Sequence, residues 1–382
     1  MKMVTWLSVL TEHQAHTFRH LGALGGEPVE YVLGARAIEE RYVQGWTEMD
    51  VAGLAIHDLP SQGWWEFGTK IITRFPDAVH IFNGMWGDRR FFVLLLYAQW
   101  HGVRTCLITE PYAERAVSYF SKRTCLLDRI KSAVRPWLYK VAGALVARRM
   151  TAVFAISEKA VNQFEAIGFS QAKVFPFGYF VPALAGHSNV AEVKGTADRL
   201  RLVFVGSLIE RKGLSTLVEA VELCNASRHH VSLYVYGPGD SGAIHAPGRF
   251  ISCHGSIPFG EAQEVIRQYD LLVVPSLHDG WSVVVNEALL QGVPVICSDA
   301  VGAGVLVHKS GAGTIFPVSD VRALASLFTE LLRDPDRLSV WRSKANGLGD
   351  WLSPALAARY QMDCLQFALG QSNIRPIAPW YS

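Results

Sequence analysis

The chain has 382 residues, of which 50% are apolar and 18% charged, with a formal net charge of +2. The length exceeds one ordinary core and suits two domains, while the apolar share excludes a disordered chain. The near balance of charge speaks against a nucleic-acid binder.

The opening residues, MKMVTWLSVL, lack the long apolar core and small-residue cleavage site of a secretory leader. No run reaches the roughly 18 apolar residues needed to span a bilayer. A cytoplasmic protein is the expectation. From there the pattern predicts a strand over Val4 to Val9, a polar loop Leu10 to Gln14, a helix near Ala15 to Leu24 and a strand Val29 to Leu33. A helix containing Trp64, Trp65 and Ile71 precedes a strand Val79 to Phe82. Arg89 to Trp100 reads as a buried helix leading into a strand Val103 to Ile108. After a long helical region come a strand Ala152 to Ile156 and a helix Glu158 to Ile167 closed by Gly168. Repeated βα units of this kind build a parallel sheet covered on both faces.

Residues 181–199 are mostly small or polar and aperiodic, as expected of a linker. Residues 1–180 thus form one domain. A second α/β pattern occupies 200–352: strands at Arg201, Val231 to Tyr236 and Phe250 to Cys253, then helices Gly213 to Leu223 and Glu261 to Tyr269. A helix Val321 to Leu332 follows, and Ser353 and Pro354 open a last helix to about Phe367 within a carboxyl-terminal segment 353–382. The six cysteines are scattered without a CxxC spacing, which predicts buried free thiols, a reducing compartment and no zinc site.

The second pattern is organised around LLVVPSLHDGWSVVVNEALLQGVPVICSDAVGAGVL, Leu271 to Leu306. Leu271 to Val274 reads as a buried parallel strand ended by Pro275. A polar turn Ser276 to Gly280 follows, then a helix capped by Ser282 and stopped by Gly292, a strand Val293 to Cys297, and the loop Gly302-Ala303-Gly304. In open α/β sheets such loops, at the carboxyl ends of strands, bind ligands. Two acids, Asp279 and Glu287, mark this edge. Each alone reads as a turn former or a solvated helix residue. Framed by Pro275, Ser276, Gly280, Trp281, Ala288, Gly292, Pro294, Val295 and Ile296, they resemble the signature of the retaining GT-B glycosyltransferases of the glycosyltransferase group 1 (GT4) family. Asp279 stands where that family usually has Glu, and Ser282 where it often has Gly.

The resemblance implies a GT-B fold, two Rossmann-like α/β domains facing a central cleft, with the last helix crossing back to the first. It implies a donor of the UDP- or GDP-sugar type, no cofactor, no metal, and a saccharide or lipid-linked acceptor in polysaccharide or glycolipid synthesis. Gly206 to Gly213, GSLIERKG, leaves a strand and enters a helix, where backbone N–H groups attract anions. Lys212 and Arg211 add cations suited to a departing diphosphate. The family pattern is met by Gly206, Leu208, Lys212 and Gly213, with Ser207 replacing the usual Arg. The glycines of Gly302-Ala303-Gly304 are expected to let backbone N–H groups approach phosphate. A dinucleotide reading of that string lacks its third glycine. By resemblance, Ser256 and Ile257 flank the base, Glu287 takes the ribose hydroxyls, and Asp279 faces the sugar with the backbone of Gly280, Trp281 and Ser282.

In the first domain Glu110, after the strand ending at Ile108, is a candidate sugar contact where the family often has His. His13 and His16, in a loop at the cleft edge, and Asn83 are acceptor candidates. Lys122 to Arg149 interleaves basic and apolar residues. It suits either an interfacial helix on the anionic inner face of a membrane or a core helix with a solvated face, and Pro136 is expected to interrupt it. Two other readings remain open: a catalytically weak sugar-nucleotide-binding relative, motivated by Ser207 and Asp279, and a GT-B sugar-nucleotide epimerase.

Overall fold

The computed structural model describes residues 1–35, 53–114, 126–184, 199–226, 230–239, 250–258 and 260–381. Most of the expected linker, and the start of the basic segment, lie outside the described residues. In the amino-terminal half, strands β1 (Met3–Leu7), β2 (Glu30–Leu33), β3 (Ala55–Asp58), β4 (Val79–Asn83), β5 (Arg104–Thr109), β6 (Ala152–Ile156) and β7 (Val174–Phe177) form one parallel sheet. Its order is β3-β2-β1-β4-β5-β6-β7. The carboxyl-terminal half holds β8 (Leu200–Val205), β9 (Val231–Tyr236), β10 (Ile251–Cys253), β11 (Leu271–Val274), β12 (Val295–Ser298) and β13 (Gly313–Phe316). Here the order is β10-β9-β8-β11-β12-β13, again parallel. The central strands are near-continuous apolar runs because helices cover both their faces.

The helices are α1 (Glu12–Gly25), α2 (Trp64–Arg74), α3 (Arg89–Trp100), α4 (Leu126–Val146), α5 (Glu158–Ala166), α6 (Leu214–Ala226), α7 (Ala262–Ile266), α8 (Val283–Leu290), α9 (Gly304–Ser310), α10 (Val321–Arg333), α11 (Pro335–Ala345) and α12 (Pro354–Ala368). Several begin on side-chain caps: Asp88 accepts from the Arg90 N–H, Asp320 from Ala323, and Ser353 from Leu356. The outer faces of the two sheets have separate apolar cores. The inner faces share one, in which α1, β7, α8 and α12 pack together. The last helix lies against α1, Trp380 packs on Phe177 and Phe180, and an Arg375 N–H donates to the Val174 carbonyl at 2.8 Å. The carboxyl-terminal segment therefore straps the two halves together.

The structure corrects several expectations. Thr11 to His16 is not a loop: α1 starts at Glu12, with the Ala15 N–H bonded to the Thr11 carbonyl. The Arg89–Trp100 helix is buried on one face only, since Val93 and Trp100 are exposed. Pro136 does not interrupt α4; it stands on an exposed part of the helix, where solvent is free to satisfy the carbonyl that proline leaves unpaired. Strands β3, β7 and β13 and helices α9 and α11 escaped the pattern reading.

Candidate active site

In both sheets the strand order reverses beside the central strands, between β1 and β4 and between β8 and β11. Loops leaving such neighbours in opposite directions open a crevice at their carboxyl ends. Gly206 follows β8 and Ser276 to Gly280 follow β11. From the other half, Thr11 and α1 follow β1, Asn83 ends β4, and Glu110 follows β5.

Lys212 ends a single 3-10 turn, Glu210–Lys212, and is separated from α6 by Gly213 in the left-handed region (φ 67°). This corrects the expectation that Lys212 sits at the start of that helix. A Cβ on Gly213 would collide with the Pro275 carbonyl, so glycine is what lets the turn press against the loop after β11. The contact places Lys212 Nζ 2.6 Å from Asp279 Oδ2. Arg211 clasps the same loop from two sides. Its guanidinium donates to the His278 carbonyl at 2.9 Å, and its own carbonyl accepts from the Leu277 N–H at 2.8 Å. Burial opposes ionisation of Asp279, yet the charges of Lys212 and Arg211 outweigh it and hold the carboxyl at about 2. Burial and the neighbouring cations Lys159, Arg211 and Arg135 keep His278 neutral, its pKa pushed down to about 4.

Glu110 reaches this loop from the opposite half. Its carboxylate occupies the space a Gly280 side chain would need. The side chain stays open to solvent while walled in by both halves. That confinement first, and the charge of Asp279 second, raise its pKa, against the lowering effect of Arg211, Lys212 and a hydrogen bond from Tyr179. The Tyr179 ring in turn lies 4.4 Å from that of His13. His13, Tyr179 and Glu110 thus form a connected set facing Asp279. Tyr179, beside the expected end of the first domain, was not singled out in the sequence. His16 instead pairs with Glu12 at 3.5 Å. Asn83 lies at the end of β4, half-buried, beside Gly84, whose N–H donates to the Ile108 carbonyl.

Glu287 sits partly open on α8. Burial first, and the negative charge of Glu12 across the cleft second, push its pKa up to about 7. Glu12 is a second site residue that the sequence did not single out. Ser256 and Ile257 lie in an open loop whose neighbour His254 stacks on Tyr236 at 4.7 Å. Gly206 and Ser207 begin the loop after β8; the Gly206 N–H donates to Tyr236, and the Ser207 carbonyl accepts from Ile209.

The helix-cap and glycine-loop expectations change. Ser282 does not cap α8: it adopts φ 78°, and its buried hydroxyl has no hydrogen-bond partner. Trp281 is a core side chain, packed on Phe180 and on the Cα of Gly178, with its indole N–H donating to Asn286 at 3.0 Å. The Gly302, Ala303 and Gly304 N–H groups already donate to the carbonyls of Asp279, Trp281 and Val301. That loop is therefore no open phosphate cradle. A Cβ on Gly302 would collide with the Gly280 carbonyl and press on Ser157 of the other half, which is why glycine stands there.

Residues 199–334 match the family described as "Glycosyl transferases group 1". TuaC of Bacillus subtilis (strain 168), named for teichuronic acid biosynthesis, is 30% identical over 182 residues, which cover 46% of this chain and 46% of the relative. The phosphatidyl-myo-inositol mannosyltransferase of Mycobacterium leprae (strain TN) is 26% identical over 225 residues, 56% of this chain and 55% of that one. The chain spans about half the length of the curated relatives it matches. Similarity of fold extends further: a crystal structure of Anabaena HepE in complex with UDP superposes with a TM-score of 0.69, covering 95% of this chain and 98% of that one at 15% identity. The fold is GT-B, two Rossmann-like α/β domains facing a central cleft, as the resemblance implied.

Proposed function

We propose that the protein is a retaining glycosyltransferase of the GT4 type. It moves a sugar from a UDP- or GDP-sugar to a saccharide or lipid-linked acceptor, in polysaccharide or glycolipid synthesis. The observation that carries this reading is the convergence of Lys212, Arg211 and Asp279 from one half with Glu110 from the other at the strand-order switch point. The match of residues 199–334 to the glycosyl transferases group 1 family supports it.

In this reading the donor diphosphate enters beside Lys212 and Arg211. As the glycosidic bond breaks, negative charge grows on the leaving oxygen, and preorganised cations stabilise that charge more than the ground state. Glu287 and the Ser256–Ile257 loop hold the nucleoside. Glu110 contacts the donor sugar, and His13 and Asn83 border the acceptor. Asp279, held at about 2, is too weak a base to take the acceptor's proton near neutral pH. The departing diphosphate takes it on the face from which the acceptor attacks, which retains the configuration. The cations do the work that a divalent metal would otherwise do at the diphosphate.

The test is turnover on a panel of UDP- and GDP-sugars, with the product anomer assigned by NMR. One donor should be consumed with its configuration kept. Tight binding of a donor with no turnover would leave a sugar-nucleotide-binding protein, and an inverted product would remove the retaining assignment.

A further inference from the structure

Away from the cleft, α4 carries an apolar face that the chain does not cover. Leu126, Ile130, Val134, Trp137, Val141 and Leu145 follow one another at intervals of four or three residues, which places them on one helix face. Their exposures are 72%, 53%, 43%, 63%, 42% and 60%. None of the described side chains from Leu126 to Val141 is buried. The opposite face ties the helix to the body. Ala142 and Val146 are buried, Tyr139 rests edge-on against Phe164 at 6.4 Å, and a Cβ on Gly143 would collide with the Ile167 carbonyl. The helix is therefore firmly seated with its apolar face outward.

Charge flanks that face. Exposed Arg129, Lys131 and Lys140 border the stripe, and exposed Arg148 and Arg149 follow the end of the helix. Within α4 the sequence offers one acid, Asp128. Exposed tryptophans stand on neighbouring elements of the same half. Trp86, 36% exposed, lies 6.3 Å from Tyr139; Trp65, 44% exposed, lies 5.2 Å from Tyr97; and Trp100, 77% exposed, sits under the Arg149 guanidinium at 6.0 Å. Tryptophan rings prefer the level where lipid headgroups meet acyl chains, and long cationic side chains reach from there to phosphate. Among the described residues no helix is long and apolar enough to cross a membrane. Basic positions beside an apolar stripe suit a helix that lies in the interface instead.

We propose that this outward face of α4, with Trp100 beside its end, docks the protein on an anionic phospholipid bilayer. The helix also connects that surface to the cleft. Arg135, on the inward side, donates to the Ala113 carbonyl at 2.8 Å, and its charge reaches His278, the neighbour of Asp279. Docking would set the cleft beside the bilayer, and so favour an acceptor whose apolar part stays in lipid; this last step rests on the proposed function.

Flotation with phosphatidylcholine vesicles, with and without phosphatidylglycerol, tests the docking itself. The protein should float with the phosphatidylglycerol vesicles, and the bound fraction should fall at least tenfold between about 50 mM and about 500 mM salt as screening shortens the reach of the cations. Ile130→Asn with Trp137→Asn should lose at least tenfold at low salt, and Arg129→Gln with Lys131→Gln and Lys140→Gln should lose the preference for anionic lipid. Both variants alter exposed positions, so their melting temperatures should match the parent. No flotation at low salt, or equal flotation of the Ile130→Asn/Trp137→Asn variant, overturns the proposal. So does a vesicle-free dimer that this variant dissociates, which would assign the face to a second copy. Flotation needs neither donor nor turnover. Turnover on a water-soluble acceptor without flotation would sink the docking alone; flotation without turnover on any nucleotide sugar would sink the function alone.

Discussion

Replacing Asp279 by Asn keeps the shape of the side chain and removes its charge. The Asp279 carboxyl titrates at about 2 instead of 3.8. At about 1.4 kcal/mol per pH unit, that difference makes ionised Asp279 worth about 2.5 kcal/mol to the fold. Breaking a fully buried pair costs about 3–5 kcal/mol, and the side chains here keep 19% and 11% exposure. A loss of about 2–3 kcal/mol at pH 7 follows. Because the folded-state pKa is depressed, the contribution is complete above 3.8 and disappears as the pH falls through about 2. Urea denaturation should therefore show the full gap between parent and Asp279→Asn at pH 7 and a shrinking gap below pH 3.8. Adding Lys212→Met should recover part of the loss, since no cation is left unpaired. Nucleoside diphosphate affinity should hold or rise in Asp279→Asn, because Lys212 is no longer shared, while kcat falls. Lys212→Ala should lower kcat/KM by roughly 30- to 1000-fold. An Asp279→Asn variant with the parent's stability at pH 7 and the parent's turnover would refute the reasoning.

Other outcomes follow from the same geometry. Glu287 titrates at about 7, and ribose hydroxyls donate best to its ionised form. Nucleotide affinity measured by calorimetry should weaken as the pH drops below 7, with Glu287→Gln flattening the profile. Glu12→Gln should move the profile to lower pH by removing the facing charge. Gly178→Ala puts a methyl into the Trp281 indole and should cost about 1–3 kcal/mol in denaturation experiments. Tyr179→Phe removes a hydrogen bond that favours ionised Glu110; the Glu110 pKa then rises, and the acid limb of the pH–rate profile should shift to higher pH with the fold unchanged.

The stretch from Leu271 to Leu306 was legible because its strands are bounded by Pro275 and Gly292 and its acids sit at fixed spacing within one βαβ unit. Such signals are local. Tyr179 and Glu12 were not legible because each gains its role from a partner far away in the chain: Glu110, 69 residues before Tyr179, and Glu287, in the other half. Ser282 misled for a related reason. Serine before a helix usually caps it, but here the serine takes a left-handed backbone and its hydroxyl caps nothing. The edge strand Ala55–Asp58, with a polar end and partly open faces, offers too little apolar pattern to separate it from a loop.

The glycines show most plainly how a motif can be found for one reason and used for another. Gly280 and Gly302 belong to the family frame, where absent side chains suggest room for a ligand. In the folded chain that room is taken: Glu110 of the other half covers Gly280, while the Gly280 carbonyl and Ser157 of the other half crowd Gly302. Gly178 repeats the pattern from the opposite side, seating the Trp281 indole where a methyl would not fit. These three contacts lie around one loop, the loop that carries Asp279. The halves thus touch around the loop that carries Asp279, where, in the proposed function, the donor sugar would meet carboxylates from both. A side chain at Gly178 or Gly280 would press on Trp281 or Glu110 of the other half, and one at Gly302 on the Gly280 carbonyl of its own half and on Ser157. Contact between the halves and assembly of the candidate site fall at one place in this fold, and the glycines leave room for it.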